Sequence, residues 1–123
     1  MRVRRVLRAH PDAAAQARAL LGELDSEISQ RQDTDARLLI SEVVTNSVRH
    51  AGLAESDRIE VVLDAGDVLR VEVRDRGAGF DLVEPVPDPA RPSGWGLYLV
   101  QQISDRWGVE RGPMTTVWFE LGA

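Results

Sequence analysis

The sequence predicts an α+β domain in which helices cover one face of a mostly antiparallel sheet. Residues 58–65 and 68–75 alternate apolar and polar side chains, and the Gly-Asp dipeptide between them is typical of a hairpin turn. A stretch at about 34–51 instead repeats its apolar residues at helical spacing, after the capping residues Asp33 and Thr34. The order of such segments, β-α-α-β-β-loop-α-β-β, favours one layer of helices on one layer of strands.

The remaining elements follow from the same two periodicities. Residues 1–9 indicate an edge strand or an exposed entry segment, and a first helix begins near Pro11, because proline is favoured in the first helical turn. Residues 81–93 contain four of the six prolines and no periodicity, which indicates a long loop. A third helix then begins through Gly94 and Gly96. Two further strands, RWGVE and TTVWFEL, follow it.

The composition excludes several classes of protein. A length of 123 residues corresponds to one domain. The chain has no cysteine and two histidines, which removes thiol catalysis and cysteine-rich zinc sites. It also has no lysine, so P-loop and Schiff-base chemistry are excluded. A net charge of −5 argues against a dedicated nucleic-acid binder, and the lack of a long apolar run or signal-peptide core predicts a soluble cytoplasmic protein without a membrane span.

Three polar residues form a row along the second predicted helix. Glu42, Asn46 and His50 are spaced i, i+4, i+8, so their side chains lie above one another on the helix surface. One interpretation is an ordinary solvent-facing stripe. The other is a carboxylate base beside an amide oxygen that could hold a hard cation such as Mg²⁺.

An aspartate ends the second strand of the predicted hairpin. Asp75 falls in phase with Val73 and the other core-facing positions, and a buried carboxylate needs a donor partner. An exocyclic amine would serve. Gly77 and Gly79 follow, and glycines there would let the backbone approach a ligand closely, although a tight surface turn explains them as well.

The third predicted helix begins with Gly94-Trp95-Gly96-Leu97. The free N–H groups and the dipole at a helix N-terminus favour phosphate binding. Glycines are common at helix entries, so this motif alone is not specific.

The four motifs together are more specific than any one of them. The segments ISEVVTNSVRHAG, VRDRGAG, GWGL and TTVWFEL resemble, in order and spacing, those of the GHKL ATPase superfamily over about residues 34–121. The E-x-x-x-N-x-x-x-H pattern, the short lid and the small size are most similar to the bacterial anti-sigma-factor serine kinases. The resemblance implies a Bergerat ATP-binding fold in a single domain, 1–123, with three helices on a mixed, mostly antiparallel sheet of four or five strands.

The resemblance also implies roles for individual residues. Asn46 would bind the Mg²⁺ that bridges the ATP phosphates, and Glu42 would be the general base. Asp75 would accept a hydrogen bond from the adenine amine, with Thr116 assisting. The other implied nucleotide-binding residues are Gly77 and Gly79 on the adenine side, and Gly94, Gly96 and Leu97, which would let a lid at 81–93 and the helix N-terminus close on the phosphates.

The function implied by the resemblance is that of an ATP-dependent protein-serine kinase. It would phosphorylate a serine on an antagonist protein and sequester a sigma factor, with no direct contact to nucleic acid or membrane, and the resemblance is compatible with a homodimer. Two alternatives remain open. One is a nucleotide-gated binding module that never transfers phosphate, and the other is a detached catalytic domain of a sensor histidine kinase.

Overall fold

A computed structural model describes residues 1–50, 54, 57–76 and 96–123. The predictions for Gly77, Gly79, Gly94 and the lid at 81–93 lie outside the described residues. The elements in chain order are β1 (Arg2–Arg8), α1 (Ala13–Ala19) continuing into a 3-10 turn (Leu20–Leu24), α2 (Gln30–His50), β2 (Arg58–Ala65), β3 (Val68–Asp75), α3 (Gly96–Ile103), β4 (Arg106–Arg111) and β5 (Thr115–Gly122).

The strands form one sheet in the order β1-β2-β3-β5-β4. Each of the four pairings is antiparallel, so no parallel pair occurs among the described strands. The two-layer α+β prediction is confirmed, and the bounds predicted for β2 and β3 agree with the structure because both strands alternate along their whole length. β1 is the edge strand that the arginine-rich N-terminus indicated.

The helices lie on one face of this sheet. α2 packs over β3 and β5, α1 packs against α2 and β1, and α3 packs against α2 and β4. Fully buried Leu39, Ile40 and Val43 from α2 share the core with Val71 and Phe119 from the sheet. Within the described ranges, no helix combines the length and the hydropathy that crossing a membrane requires.

α2 begins four residues earlier than the sequence predicted, at Gln30 rather than Thr34. The Ser29 hydroxyl accepts a hydrogen bond from the Gln32 N–H at 3.1 Å, and the Gln32 side-chain oxygen accepts one from the Ser29 N–H at 2.9 Å. This reciprocal pair is a capping box. Asp33, predicted as a cap, instead accepts a hydrogen bond from Arg37 at 2.8 Å inside the helix.

The other face of the sheet carries charged side chains. Glu60 accepts hydrogen bonds from Arg4 at 2.7 Å and from Arg74 at 3.0 Å, and Arg70 donates to Glu120 at 3.1 Å. The strand register aligns one row of alternating sign across all five strands: Arg2, Asp64, Arg70, Glu120 and Arg106. The described helices all lie on the opposite face, so a two-layer structure results.

Candidate functional site

Asp75 is the last residue of β3, and its side chain is 2% exposed. Alternate residues of a strand point to the same face, and Asp75 shares its face with Val73 and Val71, which are buried in the core. The structure therefore confirms the sequence prediction that the Asp75 side chain points towards the core. Directly opposite Asp75 in the β3–β5 register stands Thr115, which is 7% exposed.

The register separates Thr115 from its neighbour Thr116. Thr116 pairs with Arg74, and residues opposite each other in a ladder present their side chains on the same face. Thr116 therefore lies on the charged outer face, with the sheet between it and the Asp75 side chain. The register does not support Thr116 as the partner of Asp75 and favours Thr115. The sequence held this signal, because Thr115 is in phase with the apolar residues Val117 and Phe119.

Glu42 and Asn46 lie one turn apart on α2, and both side chains are half-buried. Residues four apart on a helix have Cβ atoms about 5–6 Å from each other, so one small ligand can reach both side chains. Within the described part of the chain, neither side chain has a hydrogen-bond or ion-pair partner. The side chain of His50, the third residue of the row, is not described.

The contacts of α1 show which flank of α2 these two residues occupy. Arg18 of α1 donates a hydrogen bond to the Ser41 hydroxyl at 2.8 Å, and a cleft of about 200 Å³ between the two helices is lined by Thr45 and Val48 among others. At about 100° per residue, Glu42 and Asn46 project from the other flank. They therefore face away from α1, on the side of α2 where α3 packs.

The orientation of α3 follows from its C-terminal end. The Asp105 N–H donates to the Glu120 carbonyl at 2.9 Å, and the Asp105 carboxylate accepts from the Gly122 N–H at 2.6 Å. α3 thus ends beside the end of β5, and its first turn, at Gly96, is directed towards the opposite end of the sheet. The Leu97 side chain is buried in the core, so Leu97 offers a ligand only its backbone N–H.

α2 begins beside the end of β5, because the Gln32 side-chain amide donates to the Leu121 carbonyl at 2.9 Å, so its C-terminal half lies towards the other end of the sheet. Four elements thus present polar groups towards that end of the two-layer structure: the end of β3, the start of β5, the C-terminal half of α2 and the first turn of α3. The chain matches the histidine kinase-like ATPase domain family over residues 7–121. It belongs to this family.

Individual relatives agree with this assignment. The chain is 27% identical over 124 residues to the serine-protein kinase RsbW of Bacillus licheniformis, covering 89% of this chain and 78% of that protein. It is 28% identical over 106 residues to the anti-sigma F factor of Priestia megaterium, covering 76% of this chain and 72% of that protein.

Solved structures show the same fold. The RsbU and RsbW domains of a Mycobacterium tuberculosis protein match with a TM-score of 0.75 at 26% identity, over 99% of this chain and 32% of that longer chain. A blue-light activated histidine kinase of Erythrobacter litoralis matches with a TM-score of 0.59 at 22% identity, over 91% of this chain and 47% of that chain, which concerns the fold alone.

A histidine kinase-like ATPase domain acts on ATP, and nucleotide phosphates are commonly bound together with Mg²⁺. No group of three or more acidic, histidine or cysteine side chains that could hold a metal occurs in the described ranges. Mg²⁺ usually keeps several waters and takes one or two protein ligands together with substrate phosphates. The amide oxygen of Asn46, with the Glu42 carboxylate one turn away, fits a metal that arrives with its nucleotide.

Proposed function

We propose that this protein is an ATP-dependent serine-protein kinase of the anti-sigma type. The observation that carries the proposal is the pair of half-buried side chains Glu42 and Asn46, which have no partner in the described part of the chain. The acids nearer the start of α2 do have partners, since Asp33 pairs with Arg37 and Asp35 with Arg31 four residues away. A polar pair left unpaired at the flank of a helix is suited to an incoming ligand.

Asp75 would recognise the base. Its carboxylate can accept a hydrogen bond from the adenine amine, and the Thr115 hydroxyl opposite it can add a second polar contact. Guanine presents a carbonyl oxygen at the position of that amine, so two acceptors would oppose each other. The proposal therefore includes selection of adenine over guanine nucleotides.

The phosphates would lie towards α2 and the start of α3. The N–H groups of Gly96 and Leu97 are in the first turn of α3, where helical N–H groups have no acceptor within the helix and the dipole favours anions. Mg²⁺ would be held by Asn46, and when bound it supplies positive charge beside the phosphate oxygens.

Glu42 would act as general base on the serine of the protein substrate. Its carboxylate takes the hydroxyl proton while the serine oxygen forms a bond to the γ-phosphorus and the bond from that phosphorus to ADP breaks. The N–H groups of the α3 first turn would stabilise charge on the transferred group. The general base would thus belong to α2 and the charge stabilisation to α3, so substitutions in each helix can separate the two effects.

The relatives support the choice of partners. They are named serine-protein kinase RsbW and anti-sigma F factor. By this likeness we propose that the protein partners are a sigma factor and its serine-containing antagonist, that the protein acts in the cytoplasm where both occur, and that it forms a homodimer.

The test is incubation of the protein with ATP labelled at the γ-phosphate and with candidate antagonist proteins. We expect the label on a serine of one antagonist, and capture of a sigma factor that this antagonist competes for. Nucleotide-dependent capture without transfer to a verified antagonist would instead favour the binding module. Absence of ATP binding by the folded chain would overturn both functions.

A further inference from the structure

One end of the outer sheet face departs from the charge pattern of the rest. Elsewhere on that face, charged residues that oppose each other in the register have opposite signs, as Arg2 and Asp64 do. Arg8 and Arg58 instead stand directly opposite each other in the β1–β2 ladder, the one pair of like charges among the paired residues of the described strands. Like charges at such positions destabilise a sheet, so the fold alone does not account for this pair.

A cleft of about 400 Å³ lies beside these two arginines. We call it the outer cleft, and the residues that line it are Val6, Asp57, Arg58, Glu60, Arg76 and Met114. Val6 and Glu60 oppose each other in the register, on the face that carries the charged side chains, so the cleft opens on that face. Two residues beyond the Glu60–Arg74 pair, the same register places Arg76 beside Arg58.

The carboxylates of the outer cleft already bind other groups of the protein. Glu60 accepts a hydrogen bond from Arg4 on one carboxylate oxygen and from Arg74 on the other. The Asp57 carboxylate accepts a hydrogen bond from the Ala54 N–H at 2.6 Å. The negative charge of this end of the sheet is therefore engaged within the fold.

The arginine cluster, which comprises Arg8, Arg58 and Arg76, leaves positive charge in surplus. All three side chains are exposed, and in the described part of the chain Arg8 and Arg76 have neither a hydrogen bond nor an ion pair. This surplus stands on a chain whose net charge is −5. A local basic patch on an acidic protein attracts an acidic ligand to that place and not to the surface in general.

Apolar side chains lie among these charges. Val6 is 52% exposed, and Met114 is half-buried in the outer cleft. The arginine cluster occupies three successive strands, so its backbone positions span about 10 Å, at ~4.8 Å per strand. A single phosphate or carboxylate would leave the apolar side chains in water. A peptide that carries several carboxylates and an apolar side chain on one backbone matches both features.

We propose that the outer cleft binds an acidic segment of a protein partner, whose carboxylates contact the arginine cluster and whose apolar side chain packs on Val6. Guanidinium groups suit this task, because they bind carboxylates through two parallel hydrogen bonds. The outer cleft and the Asp75 side chain lie on opposite faces of the sheet. The inference therefore concerns a second site and does not rest on the proposed function.

The test uses a short fluorescent peptide in which glutamates flank one leucine, and a matched peptide with glutamine in place of each glutamate. Fluorescence anisotropy would measure the binding of each peptide. The double variant Arg8→Gln/Arg76→Gln should bind the acidic peptide about tenfold or more weakly than the parent, as for two lost charge-assisted contacts. The matched control Arg2→Gln/Arg106→Gln removes the same charge from the other end of the same face and should bind as the parent does. The glutamine peptide should bind none of these proteins.

Val6→Thr separates a shaped site from general attraction between charges. Threonine keeps the β-branched shape but makes the surface polar, so the acidic peptide should bind about two- to threefold more weakly. Equal loss of peptide affinity in the two double variants would overturn the inference, because net charge would then account for binding. Saturating ADP should leave the peptide bound. Displacement by ADP would place the peptide in the nucleotide site and would also overturn the inference.

Urea unfolding supplies a second readout for the arginine cluster. Arg8→Gln should be at least as stable as the parent, because it removes the like charge opposite Arg58. A marked loss of stability would mean that Arg8 serves the fold, which overturns the inference.

Two other occupants of the outer cleft are outcomes of the same experiment. Tighter binding of a fluorescent oligonucleotide than of the acidic peptide, lost in Arg8→Gln/Arg76→Gln, would assign the cleft to nucleic acid. A parental dimer that this double variant dissociates, together with no peptide binding by the parent, would assign it to a second copy of the chain. Either result overturns the proposed acidic partner. A parent that binds no acidic peptide overturns it as well and leaves the proposed kinase function intact, because transfer to the antagonist is measured separately.

Discussion

Asp75 and Thr115 face each other across the last step of the β3–β5 ladder, with both side chains buried. The same face of these two strands is aliphatic or aromatic further along, with Val73 opposite Val117 and Val71 opposite Phe119. A carboxylate and a hydroxyl thus close one end of an otherwise apolar layer. This polar end of the layer is where the proposed function places the adenine base.

The Asp75→Asn variant tests the base end of the site. The amide keeps the shape of the carboxylate but removes its charge, and hydrogen bonds to a charged group contribute about 1.5–3 kcal/mol. We therefore expect ADP affinity to fall by at least about tenfold, measured by calorimetry on a variant shown by circular dichroism to be folded. Parental ADP affinity in the folded variant would remove the adenine assignment.

The two threonines of β5 make a matched pair for testing the register. Thr115→Val and Thr116→Val each remove one hydroxyl at nearly constant volume, on opposite faces of the same strand. Thr115→Val should weaken ADP binding about threefold or more, as for one hydrogen bond to the ligand, and Thr116→Val should leave it unchanged. The reverse result in a titration would mean that the ligand reaches the outer face and would contradict the site described here.

Substitutions at Glu42 and at Asn46 should have different effects, the first on phosphate transfer and the second on ATP affinity. Glu42→Gln retains size and polarity, so it should bind Mg·ATP nearly as the parent does while transferring little phosphate to the antagonist. Asn46→Ala should instead lose the part of its ATP affinity that depends on Mg²⁺. Asp35→Asn serves as the control on the same helix. Asp35 already pairs with Arg31, so its substitution should change neither phosphate transfer nor ATP affinity. Parental transfer rates in Glu42→Gln would show that Glu42 is not the base.

Much of the fold could be predicted because its elements obey one period over their whole length. β2 and β3 alternate without interruption, and the same alternation identified Asp75 as inward-facing. It would also have selected Thr115 over Thr116, had the phase of TTVWFEL been counted from its apolar residues. The preference for Thr115 thus follows from a strand phase that the sequence already contains.

The start of α2 could not be predicted in the same way. Ser29, Asp33 and Thr34 are all good capping residues, so local preference does not choose among them. The structure begins the helix after Ser29, where Gln32 completes the capping box and also reaches the Leu121 carbonyl at 2.9 Å. The start of α2 is thus favoured both by local capping and by a contact with a residue that is distant in the sequence. The convergence of β3, β5, α2 and α3 at one end likewise depends on the strand order, which spacing along the chain does not contain.

The outer face of the sheet predicts a dependence of stability on acid. Hydrogen bonding with Arg4 lowers the pKa of Glu60 from its usual 4.5, and the Arg74 charge lowers it further, although partial burial opposes both. At Glu72 burial alone would raise the pKa, but hydrogen bonds from Arg74 and Arg70 outweigh it, so that pKa is also lowered. As the pH falls, these carboxylates take up protons at a higher pH in the unfolded chain than in the folded one. Their stabilisation is therefore complete above the unfolded value of 4.5 and is lost below it, as the pH passes through the folded pKa values.

Urea unfolding at several pH values checks this dependence. Glu60→Gln should be less stable than the parent near neutral pH, and the difference should shrink as the pH falls well below about 4, because the parent then loses the same charge. Asp67→Asn, in the turn between β2 and β3, serves as the control and should run parallel to the parent. A Glu60→Gln difference that is constant across the whole range would contradict the role assigned to the ionised carboxylate.

Gly108 of β4 should not tolerate a side chain, because the Trp118 ring occupies the space that a Cβ would need. A Cβ at residue 108 would come within 2.7 Å of Trp118 Nε1 and 2.8 Å of its Cε2. The ring cannot move away easily, since the Arg70 guanidinium lies 4.3 Å from its centroid, and Arg70 is itself held by Glu120 at 3.1 Å.

Gly108→Ala should therefore cost about 1–3 kcal/mol of the free energy of unfolding, the usual range for overpacking. In a Trp118→Val background the same substitution should cost much less, and urea unfolding of the four proteins measures that coupling. Nucleotide affinity should remain parental throughout, because this contact lies on the outer face and Asp75 lies on the inner one. Equal destabilisation by Gly108→Ala in both backgrounds would show that the strand backbone, and not the indole ring, requires the glycine.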